Sequence, residues 1–253
     1  MFRFARIQVQ WIKNSFTSWF VSKYKVNMNE AGLEDIKEYK HFNDFFTRSL
    51  KAGTRPISES KVVSPVDGVV SQCGNIEGSM IFQAKGKKFS VEALLANSPK
   101  DNFYTSFATI YLSPKDYHRI HMPFDGILKS MKYIPGNLFS VNKRTVENID
   151  QVFARNERLI CYFDTEYGEM ALVMVGAIFV GSMETSWEGQ VTPPYTKSVK
   201  TYDYDSRQIG LSKGEELGRF NMGSTVILIL PKGSPELNLE AGKALKMGQS
   251  ISN

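Results

Sequence analysis

Two of the three histidines, His118 and His121, stand three residues apart in Ser113-Pro114-Lys115-Asp116-Tyr117-His118-Arg119-Ile120-His121-Met122-Pro123. Side chains at that spacing point to opposite faces of a strand but converge in a turn or helical loop. The flanking Ser-Pro and Met-Pro steps favour a loop. Two imidazoles held there offer two proton-transfer groups with different neighbours. A zinc site would want a third ligand, and neither Cys73 nor Cys161 is near in sequence, so no metal is expected. A hydrogen-bonded structural pair accounts for the same residues.

A second feature is Phe220-Asn221-Met222-Gly223-Ser224-Thr225-Val226-Ile227-Leu228-Ile229-Leu230, a Gly-Ser-Thr step against a run of aliphatic residues. Alone it reads as a turn entering a buried strand, and Gly-Ser recurs at Gly78-Ser79, Gly181-Ser182 and Gly233-Ser234. A third is Asp67. Ser64-Pro65-Val66-Asp67-Gly68-Val69-Val70 is echoed by Met122-Pro123-Phe124-Asp125-Gly126-Ile127-Leu128, and both read as an Asp-Gly turn feeding a strand. Asp67, His121 and Ser224 could make an acid, base and nucleophile, since such triads occur in several chain orders. The chain lacks the Gly-x-Ser-x-Gly elbow and the alternating helices and strands of an α/β-hydrolase.

The elements that must position these residues divide the chain. With 253 residues, 42% apolar and 23% charged, the composition is that of a globular protein and argues against long disorder or a fibre. From residue 61 onward, short apolar runs broken by Gly, Pro, Asp and Asn predict a compact, mainly antiparallel β-rich domain over 61–253. Predicted strands are 68–71, 107–112, 126–133, 158–165, 169–175, 178–184 and 225–230. The fold class expected is α+β, with amphipathic N-terminal helices before the β-rich part. Gly242-Lys243-Ala244-Leu245-Lys246-Met247-Gly248 resembles the Lys-Met turn of biotinyl and lipoyl carrier domains and is read as a plain hairpin turn.

Residues 1–60 are expected to form a helical, membrane-associating region. Arg3, Arg6, Lys13, Lys23 and Lys25 sit in the first 25 residues with no acidic residue among them, although the whole chain is only +5. Phe2, Ala5, Val9, Ile12, Phe16 and Trp19 form a stripe at helical spacing, with Phe20 beside it, and Phe4, Ile7 and Trp11 lie off it. A basic helix with aromatic anchors suits the headgroup boundary of an anionic bilayer, and nucleic acid is not expected as a partner. A further polar helix is predicted around 30–39, then an aromatic docking helix near 41–48. No apolar run reaches the roughly 20 residues that span a bilayer, the longest being Met170 to Met183. Widely spaced cysteines fit a reducing compartment, so the chain is expected to lie on the cytoplasmic face of the inner membrane without crossing it.

Taken together, Phe42-Asn43-Asp44-Phe45-Phe46, Ser64-Pro65-Val66-Asp67-Gly68, Asp116-Tyr117-His118-Arg119-Ile120-His121-Met122-Pro123, Val180-Gly181-Ser182-Met183-Glu184 and Gly218-Arg219-Phe220-Asn221-Met222-Gly223-Ser224-Thr225 resemble the pyruvoyl-dependent phosphatidylserine decarboxylases of prokaryotic type. The resemblance implies self-cleavage between Gly223 and Ser224, giving a β chain of residues 1–223 and an α chain of 224–253. Ser224 would attack the Gly223 carbonyl and end as an N-terminal pyruvoyl cofactor. Asp67 is then implied to orient His121, His121 to act as the base on Ser224, and His118 to donate a proton after decarboxylation. The pyruvoyl ketone can form a Schiff base with the amine of phosphatidylserine and act as the electron sink for loss of carbon dioxide, leaving phosphatidylethanolamine. The resemblance also implies a homodimer of processed pairs. The alternative is a lipid-facing serine hydrolase using Asp67, His121 and Ser224 directly.

Overall fold

The computed structural model describes residues 4–97, 99, 103–177, 182–221 and 224–253, with the side chain of Ser224 outside that set. The expected helix-then-sheet order is present. Helix α1 (Gln10–Tyr24) and the short α2 (Phe42–Phe46) precede the first long strand, and α3 (Val91–Leu95), α4 (Lys143–Asn148) and α5 (Val152–Arg155) lie between strands. The strands are β1 (Gly68–Asn75), β2 (Met80–Ala84), β3 (Lys87–Ser90), β4 (Tyr104–Leu112), β5 (Arg119–His121), β6 (Gly126–Ile134), β7 (Arg158–Thr165) and β8 (Gly168–Val175). They continue with β9 (Met183–Thr185), β10 (Gly189–Thr192), β11 (Lys200–Asp203), β12 (Gly210–Leu211), β13 (Glu216–Phe220), β14 (Ser224–Pro231) and β15 (Ala244–Leu245).

A nine-stranded sheet runs β11-β6-β7-β8-β14-β4-β1-β15, with β12 also on β6, and a four-stranded sheet runs β10-β9-β13-β5. Both are antiparallel. The unbroken apolar sequences of β7, β8 and β14 follow from their place: Ile160, Leu172 and Ile227 to Leu230 are fully buried, so neither face needs polar residues.

The echo between residues 64–70 and 122–128 is a structural repeat. Gly68 pairs with Leu245 as Gly126 pairs with Leu211. Asp67 Oδ1 accepts from the backbone N–H of Met247 at 2.8 Å, and Asp125 Oδ1 accepts from that of Lys213 at 2.7 Å. The N–H of Gly248 donates to the Ser64 carbonyl as that of Gly214 does to Met122, both at 2.9 Å. Gly248 and Gly214 share a positive φ of 83°, and a Cβ at either would fall within 2.9 Å of Ile57, which is wedged between the two turns. The Lys-Met step expected to be a plain turn is thus the partner of Asp67.

At the N-terminus the structure departs from the predicted stripe. Lys13, Thr17 and Phe20 are the buried residues of α1, and Phe20 packs against Phe42, Phe45 and Phe46 at 5.0 to 6.1 Å between ring centres. Val9 and Trp19 of the predicted stripe are exposed, as is Trp11, while Phe2 lies outside the described residues. The reason is Lys13: its ammonium donates to the carbonyls of Ile36, Lys37 and Tyr39 at 2.7 to 3.1 Å, which turns a charged residue inward. The same bonds explain why the helix predicted around 30–39 is absent beyond the single turn Met28–Glu30: those carbonyls face an ammonium and not the N–H four residues on.

Candidate active site

Three connections cross between the two sheets at one end of the molecule: residues 113–118 from β4 to β5, 176–182 from β8 to β9, and 221–223 from β13 to β14. Register brings them side by side. Ser224 opens β14 opposite Leu112, the last residue of β4, and Thr225 pairs with Val175, the last of β8. At the other end of the step, Phe220 pairs with Met183 and its N–H donates to the carbonyl of His118 at 3.0 Å. The start of β14 at Ser224 and the loop that carries His118 are therefore neighbours. Met222 and Gly223 lie outside the described residues, as do residues 178–181, part of a predicted strand.

The approach to that step is tightly held. Asn221 donates through its side-chain amide to Ser182 Oγ at 2.6 Å and Glu184 Oε1 at 3.1 Å, and its carbonyl accepts from Asn43 Nδ2 at 2.7 Å. Both asparagines are buried. Their signal in the sequence was weak, since an asparagine beside a turn is common.

His118 is fully buried against the Phe46 ring, with ring centres 4.1 Å apart. Its Nδ1 lies 2.7 Å from the Asp116 carbonyl, which can only accept, so Nδ1 carries the proton and Nε2 presents a lone pair. Nε2 has no partner among the described residues. Burial pushes the imidazole down to about 3, so it is neutral at physiological pH. The proton donor expected at this position is therefore an acceptor in the resting protein, and it must take up a proton before it can give one.

His121 is also held neutral, its ordinary value lowered by burial. Its Nδ1 donates to the Gly214 carbonyl at 2.8 Å, and Nε2 accepts from the Tyr117 hydroxyl at 3.0 Å. Asp67 therefore does not orient His121 by a direct hydrogen bond in this structure; Gly214 does so, in the turn wedged against Ile57. Asp67 lies one layer further out, 1% exposed, and accepts from Arg55 Nε at 2.9 Å, Arg55 Nη2 at 2.6 Å, Lys246 Nζ at 3.3 Å and the Met247 N–H. Burial alone would raise its carboxyl; the Arg55 bonds, the Met247 N–H and the nearby cations outweigh that and hold it below the usual carboxylate range. Its route to the base is through backbone, because the His121 N–H donates to the Pro65 carbonyl at 2.8 Å. Arg55, Tyr117 and Gly214 were not singled out in the sequence: Arg55 and Gly214 act across 12 and 93 residues, and a tyrosine four residues from a histidine carries no signature of its own.

These states fix the sign of the acid response. Unfolded, His118 takes a proton near its ordinary value of 6.5, while folded it stays neutral down to about 3. Between those values the unfolded chain binds more protons, so stability is lost as pH falls, by about 1.4 kcal/mol per unit for one such histidine. Asp67 acts in a lower window: its contribution is present above the ordinary carboxylate value and is lost as pH falls below it. Melting temperature measured from pH 7 to 5 should decline more steeply for the native protein than for His118→Gln; equal slopes would contradict the assignment.

The arrangement defines an antiparallel β protein in which two histidines held as neutral bases, one in the loop after β4 and one closing β5, stand near the strand that Ser224 opens. That class of site includes self-processing enzymes. The family model for phosphatidylserine decarboxylase matches residues 42–253. Over 260 residues the chain is 52% identical to a phosphatidylserine decarboxylase proenzyme of Pseudomonas putida, covering 98% of this chain and 89% of that one. It is 51% identical to the proenzyme of Pseudomonas entomophila with the same coverage, and 50% identical to that of Ectopseudomonas mendocina over 98% and 90% of the two chains. The chain belongs to the phosphatidylserine decarboxylase family.

Proposed function

We propose that this chain is a proenzyme that cuts itself between Gly223 and Ser224 and then decarboxylates phosphatidylserine to phosphatidylethanolamine, with residue 224 as its pyruvoyl group. The observation that carries the reading is His118: a buried neutral imidazole whose Nε2 lone pair has no partner, on the loop beside the Gly-Ser step. That orphaned acceptor, buried against Phe46, fits the ammonium of a substrate reacting at residue 224. When formed, such a group supplies the electron sink that no side chain offers to the carbon losing its carboxylate.

The roles of the chain's own residues follow. For cleavage, His121 Nε2 is the base for the Ser224 hydroxyl, once Tyr117 releases it; Gly214 holds the tautomer, and Asn43 and Asn221 fix the backbone entering the step. For turnover, His118 Nε2 takes the proton from the substrate ammonium and returns it to the carbon that has lost carbon dioxide. The hydrolase alternative, which needs a standing Asp67–His121 pair, is disfavoured because neither nitrogen of His121 reaches Asp67. Release of carbon dioxide and phosphatidylethanolamine from phosphatidylserine vesicles supports the proposal, whereas labelling of Ser224 by a fluorophosphonate in the purified protein would favour the hydrolase.

The substrate resides in a bilayer, and α1 supplies a way to meet it. Trp11 and Trp19 are 73% and 53% exposed on a helix that carries Lys23, sits near Arg6 and Lys25, and packs through Phe16 and Phe20 on the aromatic cluster of α2, whose Phe46 lies against His118. No helix of the described residues is long and apolar enough to cross a membrane. In this reading residues 1–60 bind peripherally, on the anionic cytoplasmic face of the inner membrane. Deleting residues 1–25 would strip cover from Phe42 and Phe45, so substitution is the cleaner test. Trp11→Ser with Trp19→Ser should weaken binding to anionic liposomes about tenfold or more, by the area of two aromatic side chains, and leave self-cleavage intact. Unchanged liposome binding would contradict this role.

A further inference from the structure

Beside the histidine loop, a cavity of about 170 Å³ lies between the N-terminal segment and residues 115–117. Its wall carries five cations, Lys25, Arg48, Arg55, Lys115 and Lys246, against three carboxylates, Glu30, Asp67 and Asp116. The carboxylates are spoken for. Arg55 bridges Glu30 and Asp67, Lys246 also reaches Asp67, and Asp116 Oδ2 accepts from the Ser113 N–H and hydroxyl at 2.7 Å. Lys25, Arg48 and Lys115 then have no carboxylate partner among the described residues.

Arg48 is the telling member. It is only 4% exposed, yet Nε and Nη1 have no hydrogen-bond partner among the described residues; Nη2 alone is used, on the Lys115 carbonyl at 2.9 Å. Buried donors are almost always satisfied, and a buried guanidinium without a counter-charge is costly. An oxyanion supplies both what is missing and the charge balance, and guanidinium with ammonium is the donor set that phosphate takes.

We propose that this cavity is an anion site that receives the phosphodiester of the phosphatidylserine headgroup, an assignment that rests on the decarboxylase reading above. Placement supports it. The Asp116 carbonyl that receives His118 Nδ1 at 2.7 Å also lies 3.5 Å from Arg48 Nη2, and Tyr117, in the cavity wall, touches His121. In the headgroup, phosphorus and the carbon that loses carbon dioxide are three bonds apart, so the groups that hold one must adjoin the groups that act on the other. Arg48, Lys25 and Lys115 would set the headgroup in place and discriminate against serine without a phosphate.

The test uses the full processed protein and water-soluble dihexanoyl phosphatidylserine, which removes attraction to a bilayer surface. Lys25→Ala with Lys115→Ala, both exposed and safe for folding, should raise KM about tenfold with little effect on kcat, the scale of one or two charge-assisted contacts. Arg48→Lys, which keeps the charge but loses donors, should act in the same direction. Inorganic phosphate should bind the native protein in calorimetry, compete with substrate, and bind the double variant much more weakly. An unchanged KM with no phosphate binding overturns the site. Phosphate that binds without competing overturns the headgroup assignment and leaves a site for free phosphate. Phosphate binding by a protein that does not turn over the lipid at all would instead locate the failure in the decarboxylase reading.

Discussion

Asp67→Asn should leave the chain uncut and lower its melting temperature by about 10 °C, the shift expected when one partner of a buried charge cluster worth about 3–5 kcal/mol is removed. The change is nearly isosteric, so its effect is electrostatic. Arg55 loses the carboxylate that faces its Nε and Nη2, and Lys246 loses its partner. The amide N–H2 can satisfy neither cation, and whichever way it turns it opposes one of them or the Met247 N–H. The consequence for cleavage runs through position: the Asp67 turn carries Pro65, whose carbonyl holds the backbone of His121. Gel analysis of the fresh protein reads the cut and calorimetry reads the melt. A variant cut at the native rate would mean that Asp67 has no part in processing.

His118→Gln should separate the two reactions. Self-cleavage should go to completion, because His121 and not His118 serves Ser224, while decarboxylation should fall by about 10²–10⁴-fold, the usual worth of a positioned proton-transfer group. Gln can keep a donor to the Asp116 carbonyl and so preserve the loop, but it has no basic nitrogen at the position of Nε2. Turnover measured as carbon dioxide release from the fully processed variant decides it. Activity within a few-fold of native would remove His118 from the proton path, and an uncut variant would assign it to cleavage.

The legible part of this protein is what is local. The runs at 158–165 and 169–175 gave away β7 and β8 because both strands are buried on two faces and lack a polar break. The Pro-x-Asp-Gly echo marked two copies of one turn, and only the structure distinguishes them: Asp125 is exposed and merely caps a backbone N–H, whereas Asp67 is buried among cations. The histidine pair marked the site, but only His118 lies in the expected loop; His121 closes strand β5, opposite Glu216.

What could not be read is what depends on a distant partner. Lys13 looks like a solvated charge until three carbonyls 23 to 26 residues away close on it, and that contact both rotates α1 and undoes the predicted helix after it. Gly214 and Tyr117 reach His121 through a carbonyl and a hydroxyl, groups common to many residues, so neither carries a sequence signature. Short polar strands such as β11, with sequence Lys-Thr-Tyr-Asp, form at a sheet edge because β6 is there to pair with them, not because their residues demand it.

The central claim is that Gly223-Ser224 is a cut and not merely a turn into β14. Intact mass of the freshly purified protein under denaturing conditions, beside Ser224→Ala, tests it most directly. The account predicts two fragments from the native chain, residues 1–223 and 224–253, the smaller bearing a ketone-reactive blocked terminus, and one uncut mass from Ser224→Ala. A single uncut mass from both would contradict it.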